Sequence, residues 1–306
     1  MPVLCIAPGG TDKIILVNYQ GTSVESTLHD TINQFWISGI QNVSRDTECG
    51  CTLTEFKLGG TPWYSRARES VASRALLAKI IQKMSGIGWK FHCAVNIKGG
   101  TDSLFFIKQD YFEQPLTTSV ISMNRTDRVR LIGFMNNDSD SQAIGRCINN
   151  PHECRDYHGS IEFKLKGTPF HCSGHDAIKT RKLLNRILET VQLQGYDPIT
   201  GLDVSRKDHD KSVIIFSLTN SQVFSYACMT LSSTDTLRLI DFPDYEQERL
   251  AEVVRATYPY GIRVERAAEE NCREFGLNVI TFSLISFSFS LNHICVLGQS
   301  LVQRIY

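Results

Sequence analysis

Residues 55–63 read Glu-Phe-Lys-Leu-Gly-Gly-Thr-Pro-Trp, and residues 162–170 read Glu-Phe-Lys-Leu-Lys-Gly-Thr-Pro-Phe. The two stretches begin 107 positions apart (55 to 162), and the likeness continues downstream. Arg74-Ala75-Leu76-Leu77 answers to Arg181-Lys182-Leu183-Leu184, and Gly88-Trp89 to Gly195-Tyr196. A period of this length repeats whole supersecondary units. Each stretch sets Phe and Leu on one face against Glu and Lys on the other, the alternation of a half-buried strand. Gly-Thr-Pro ends it, because proline removes a ladder donor and glycine admits a turn.

Outward from the signature, helical spacing follows. Val71, Ala75, Leu76, Ile80 and Met84 form one apolar stripe, and Ile178, Leu183, Leu184, Ile187, Leu188 and Val191 form the other. Gly88 and Gly195 close these helices. Two strands follow each, over 89–97 with 103–108 and over 196–204 with 212–218. A second unit recurs three times: a short apolar run, a Thr-Asp corner (Thr11-Asp12, Thr126-Asp127, Thr234-Asp235) and an alternating run, which together predict a β-hairpin. Helices are expected after it over 25–35 and 245–256, with a shorter one over 142–148.

These elements predict an α+β protein, a tandem repeat of a strand-helix-four-strand-helix unit of about 107 residues with mainly antiparallel sheet. Counted from the signature, residues 1–41 form a half unit, 53–150 and 160–262 are full repeats, and 275–306 start a third. There Ile280–Leu284 is expected to stand for Thr54–Leu58, after which Gly-Thr-Pro fails to appear. That failure suggests a truncated or spliced product. No charged residue occurs from 277 to 303. The segment is read as an orphaned edge strand, with a C-terminal membrane tail anchor as the competing reading.

The 32 basic and 32 acidic residues of the 306 cancel, which argues against a dedicated, sequence-specific nucleic-acid binder. The N-terminus carries neither the basic region nor the long apolar run of a signal peptide. Ten cysteines without a regular framework point to free thiols in the cytoplasm or nucleus.

Three constellations bear on chemistry. Cys147, Cys154, His171, Cys172 and His175 include zinc-ligating types, but their spacing is irregular and the first repeat has Tyr64, Ser65 and Arg68 where the second has His171, Cys172 and His175. No metal or other cofactor is therefore assigned. No nucleophile elbow or phosphate loop occurs, and Glu55 and Glu162 are read as cross-strand charge partners rather than general bases. Catalytic residues are accordingly not assigned. The third is a basic surface: Arg74, Lys79 and Lys83 on the first signature helix (with Arg66 and Arg68), and Arg181, Lys182 and Arg186 on the second. With Thr61 and Thr168 of the Gly-Thr-Pro turns at the helix N-termini, they make candidate anion ligands. The expected function is a non-catalytic intracellular binding or scaffold module with a protein partner. A carrier or sensor of an anionic small molecule or lipid is the alternative, and an enzyme without a recognisable motif stands third.

Overall fold

A computed structural model describes residues 2–278 apart from 20–21, 49, 98–100, 111–115, 136, 149–152, 208–210, 220–223 and 234, together with 295–296. The strands are β1 (Val3–Gly9), β2 (Lys13–Val17), β3 (Ile40–Glu48), β4 (Cys51–Leu58), β5 (Trp89–Val95) and β6 (Ser103–Lys108) in the first sheet. The second sheet has β7 (Thr118–Asn124), β8 (Arg128–Ile132), β9 (Glu153–Tyr157), β10 (Ser160–Lys164), β11 (Tyr196–Leu202) and β12 (Val213–Leu218). The third has β13 (Cys228–Ser232), β14 (Thr236–Ile240), β15 (Ile262–Glu269), β16 (Cys272–Leu277) and the short β17 (Cys295–Val296). The helices are α1 (Thr22–Phe35), α2 (Ala67–Gly86), α3 (Asn137–Cys147), α4 (Gly174–Leu193) and α5 (Asp244–Thr257).

The sheets share one topology. Their orders are β3-β4-β2-β1-β6-β5, β9-β10-β8-β7-β12-β11 and β15-β16-β14-β13-β17. The Thr-Asp hairpin is central in each, the signature hairpin adds beside its second strand, and a later strand pairs with its first. All the pairings are antiparallel, as hairpin connections dictate. The fold is thus an α+β repeat of three mostly antiparallel sheets. Counted by sheets, the periods run over 3–108, 118–218 and from 228 onward, half a period out of phase with a count from the signature.

The third signature lies at Glu274-Phe275-Gly276-Leu277 in β16 rather than at 280–284. One hydrogen bond proves the equivalence: the amides of Leu58, Leu165 and Leu277 donate to the carbonyls of Asp12, Asp127 and Asp235 at 2.7, 2.8 and 2.7 Å. Gly59 and Asn278 then donate in parallel fashion to Gly39 and Gly261 at 2.9 and 3.0 Å. The spacing departs from 107 because the segment between corner and signature varies; α3 has 11 residues where α1 and α5 have 14. Apart from 295–296, the residues of the tail segment beyond 278 lie outside those described. Among the described residues no helix is long and apolar enough to cross a membrane.

By contacts the chain forms two compact units, 1–167 with 194–221, and 168–193 with 222–306. In the first, the inward residues of sheet one (Leu4, Ile6, Ile14, Leu16, Phe56, Leu58, Leu104, Phe106) meet α1 through Val24, Leu28 and Ile32 and α2 through Leu76 and Ile80. The same core continues into Val120, Ile132, Val213 and Ile215 of the second sheet. Helix α2 is therefore buried on nearly all sides, which explains its weak amphipathicity. In the second unit Leu237, Leu239 and Phe275 pack with Phe242 and Ala251, and Ile178 of α4 packs with Cys228, Ile240 and Cys272.

A candidate anion-binding site

The proline of the first two signatures does not begin the long helix. It opens a three-residue 3-10 turn, Pro62–Tyr64 or Pro169–His171. The Trp63 ring plugs the core, and its Nε1 donates to the Lys13 carbonyl at 2.7 Å. Phe170 is only half-buried. This inserted turn moves the helix N-terminus away from Gly-Thr-Pro. Thr61 and Thr168 are exposed, and neither side chain caps the 3-10 turn that follows it. The amides at the start of α2 lie instead beside Ser65–Ala67, where the side chain of Arg66 makes no cap.

At that point the first unit has a cavity of about 400 Å³, lined by Ser65, Arg66, Ala67, Ser70 and Arg74 of the α2 entry, Asn124 and Arg125 of the second-sheet corner, Arg130, Tyr157 and Lys207. Four arginines and a lysine line it, and no carboxylate does. A helix N-terminus adds partial positive charge from its first-turn amides.

The cavity wall is held by internal hydrogen bonds. Arg130 is 5% exposed. Its Nε donates to Glu162 Oε2 at 2.6 Å, its Nη1 donates to Asn124 Oδ1 at 3.2 Å, and its guanidinium lies 4.0 Å from the Tyr157 ring centroid. Arg74 Nη1 donates to the Ser70 carbonyl at 2.6 Å. Lys207 Nζ donates to the Ser65 carbonyl and sits over the Tyr64 ring. Glu162 also receives Arg128 Nη1 at 3.1 Å and Arg155 Nη2 at 2.8 Å. Asp127 and Glu153 join this cluster, 3.4 and 3.8 Å from Arg128, with Glu153 also 3.6 Å from Arg155, so its three guanidinium groups meet three carboxylates. Burial pushes the Glu162 carboxyl up, but hydrogen bonds from Arg130 and Arg155 and the charges of Arg130 and Arg128 outweigh it and hold it below the usual range.

Two wall residues sit in left-handed backbone that disfavours a Cβ: Ala67 at φ 48° and Arg125 at φ 53°. Gly174 (φ 57°) stands where Ala67 does in the second repeat. Gly10 (φ 54°) and Ser233 (φ 56°) stand where Arg125 does in the other hairpins. Only the middle hairpin places a guanidinium there.

The sequence candidates divide accordingly. Arg74 lines the cavity. Lys79 and Lys83 do not; they lie further along α2, where Lys79 donates to Gln82 at 2.8 Å and burial, then the charge of Lys83, lowers its pKa. Arg74 is 4% exposed, so it is no part of a solvated basic face. In the second unit Arg181 repeats the bond of Arg74 to a carbonyl four residues back, at 2.9 Å to Ala177, and adds Thr230 Oγ1 at 3.2 Å. Lys182 donates to the Glu270 carbonyl and pairs with Asp241 at 3.8 Å. Arg186 is exposed. These three do not line the cavity. Of the zinc-type residues, Cys172 donates to the Pro169 carbonyl at 2.8 Å and His175 Nδ1 lies 2.9 Å from Glu269. Cys154 is exposed on β9, Cys147 ends α3 half-buried, and His171 ends the second 3-10 turn. Among the described residues no group of three or more His, Cys, Asp or Glu is arranged for a metal. Arg125, Arg130, Asn124, Tyr157 and Lys207 escaped the sequence reading. The one legible signal was Arg125 standing before the Thr-Asp corner, where the first copy has Gly10.

Neither curated proteins nor solved structures give a match. One family model, of a single domain, matches residues 2–107, 117–217 and 225–283, three spans that coincide with the three sheets. Those matches cover most of the sequence, and the chain belongs to the family defined by that domain, in three tandem copies.

Proposed function

We propose that this protein is a non-catalytic binding module that holds a small anionic group in the cavity at the head of α2. The carrying observation is the wall itself: five cationic side chains, two of them almost fully buried and fixed by internal hydrogen bonds, face a space of about 400 Å³ that no carboxylate lines. That volume suits a small phosphorylated or polycarboxylated molecule. Arginine forks recognise such oxyanions bidentately. Residence in the cytoplasm or nucleus belongs to the same proposal, supported by the free thiols of eight cysteines, Cys5 and Cys228 among them.

Calorimetric titration of the full chain with inorganic phosphate, pyrophosphate and citrate tests the reading. At least one should bind saturably, with affinity falling as salt rises. Arg66→Gln and Lys207→Gln, at the mouth of the cavity, should each weaken binding about tenfold, since a charged hydrogen bond contributes on the order of 1.5–3 kcal/mol. Unchanged binding in the double variant would sink the proposal. Charge changes at Lys79 and Lys83 should leave binding as it is.

A further inference from the structure

The second and third sheets each seat a helix on their second face, the third through Ile178 of α4 against Cys228, Ile240 and Cys272. In the second sheet that face seats α2. Thr118 Oγ1 donates to the Ala78 carbonyl and to Gln82 Oε1, both at 3.1 Å, while Val120, Ile132 and Ile215 share one core with Leu77 and Ile81. These three are 1%, 5% and 0% exposed.

Strand register identifies the corresponding positions of the first sheet. Cys5 pairs with Val17 and Phe105 as Val120 pairs with Ile132 and Ile215. Ala7 pairs with Ile15 where Ser122 pairs with Arg130. The equivalent face is thus Val3, Cys5, Ala7, Ile15, Val17 and Phe105. It is as apolar as the seated one, yet Val3 is 41% exposed and the other five remain half-exposed. A contiguous apolar patch of this kind marks an interaction surface. The Lys13–Glu55 pair, at 2.8 Å, lies at its margin.

We infer that the open face of the first sheet docks an amphipathic helix of the α2 type, supplied by another domain of the same family. The interface already present inside the first unit fixes the occupant. Stacking a helix on this face is how one domain of the family joins the next, and the first sheet offers the next position of the same series. The fitting helix has a branched aliphatic stripe with an alanine at its centre, as Leu77, Ala78 and Ile81 provide in α2, so that its backbone approaches the central hairpin closely.

The test uses the full chain and a labelled, end-capped peptide of residues 66–87 as the helix probe, read by fluorescence anisotropy. Saturable binding is expected. It should slow alkylation of Cys93, which pairs with Phe105 on the adjoining strand, and leave alkylation of Cys154 unchanged. Val17→Asp should weaken binding at least about tenfold, because a carboxylate cannot be desolvated against an apolar stripe. Should V17D fail to fold, Ile15→Lys makes the same test. Absence of binding, or binding that leaves Cys93 as reactive as before, would overturn the inference. Concentration-dependent self-association of the unlabelled protein that V17D abolishes would overturn the occupant and assign the face to a second copy.

Discussion

At the scale of single residues, Arg125 sets the proposed site against stability. Its left-handed backbone costs a Cβ-bearing residue roughly 1–2 kcal/mol, and glycine serves at the matching turn of the first hairpin. Arg125→Gly should therefore raise unfolding free energy by about 1 kcal/mol in chemical denaturation and weaken phosphate-type binding in the same protein. A variant that gains stability and binds unchanged would remove Arg125 from the site. Glu162 works in the opposite sense. It is 1% exposed among three arginines, so Glu162→Gln leaves buried Arg130 without its counter-charge and should cost about 3–5 kcal/mol. The pH dependence follows from its lowered pKa. The stabilisation is complete above the ordinary value of 4.5 and disappears as pH falls through the lower folded value. Glu274 repeats the device with Arg238 at 2.6 Å and with Arg266, its carboxyl likewise lowered against the effect of burial. Denaturation midpoints should fall steeply below pH 4.5, and less steeply in E162Q. Equal acid slopes would refute the assignment.

At the scale of elements, the same joints recur with different side chains. Trp36, following α1, donates its Nε1 to the Gly59 carbonyl at 2.8 Å, and Tyr258, following α5, donates its hydroxyl to the Asn278 carbonyl at 2.8 Å. Both tie a helix end to the residue after the signature leucine. Trp36→Phe should cost on the order of 1 kcal/mol from the lost bond plus some packing, and Tyr258→Phe less, since its bond is exposed to solvent. Thermal melts of the two variants check the order. The second glycine of the signature has a similar explanation: Gly60 and Gly167 adopt φ 71° and 70°, so the turn into the 3-10 segment needs left-handed backbone in both copies.

At the scale of the whole molecule, α2 couples two family domains within the first unit. A helix that donates its stripe to one sheet and its opposite side to the next cannot melt with only one of them. Leu77→Ala should destabilise by about 2–5 kcal/mol. Hydrogen exchange should then accelerate together in sheet-one strand β1 and sheet-two strand β7. Acceleration confined to one sheet would show the domains to be independent.

Much of this was legible in the chain. The repeated Glu-Phe-Lys-Leu, the Thr-Asp corners and the helical stripes specify strands, hairpins and helices, because period and turn chemistry are local properties. The ion-pair role of Glu55 and Glu162 was also readable, since a cross-strand neighbour is set by register. Sequence spacing could not place the third signature, because segments of unequal length separate corner from strand. Nor could it find the cavity. Arg74, the Arg125 and Arg130 of one hairpin, Tyr157 and Lys207 come from four separate segments, and only the stacking of α2 on the second sheet brings them together. The sequence by itself determined the elements and their repetition, through hydrophobic period and backbone preference. Tertiary structure alone decided which helix face was buried, which basic side chains met and which sheet face stayed open, because burial and electrostatic proximity depend on contacts between segments far apart in the chain.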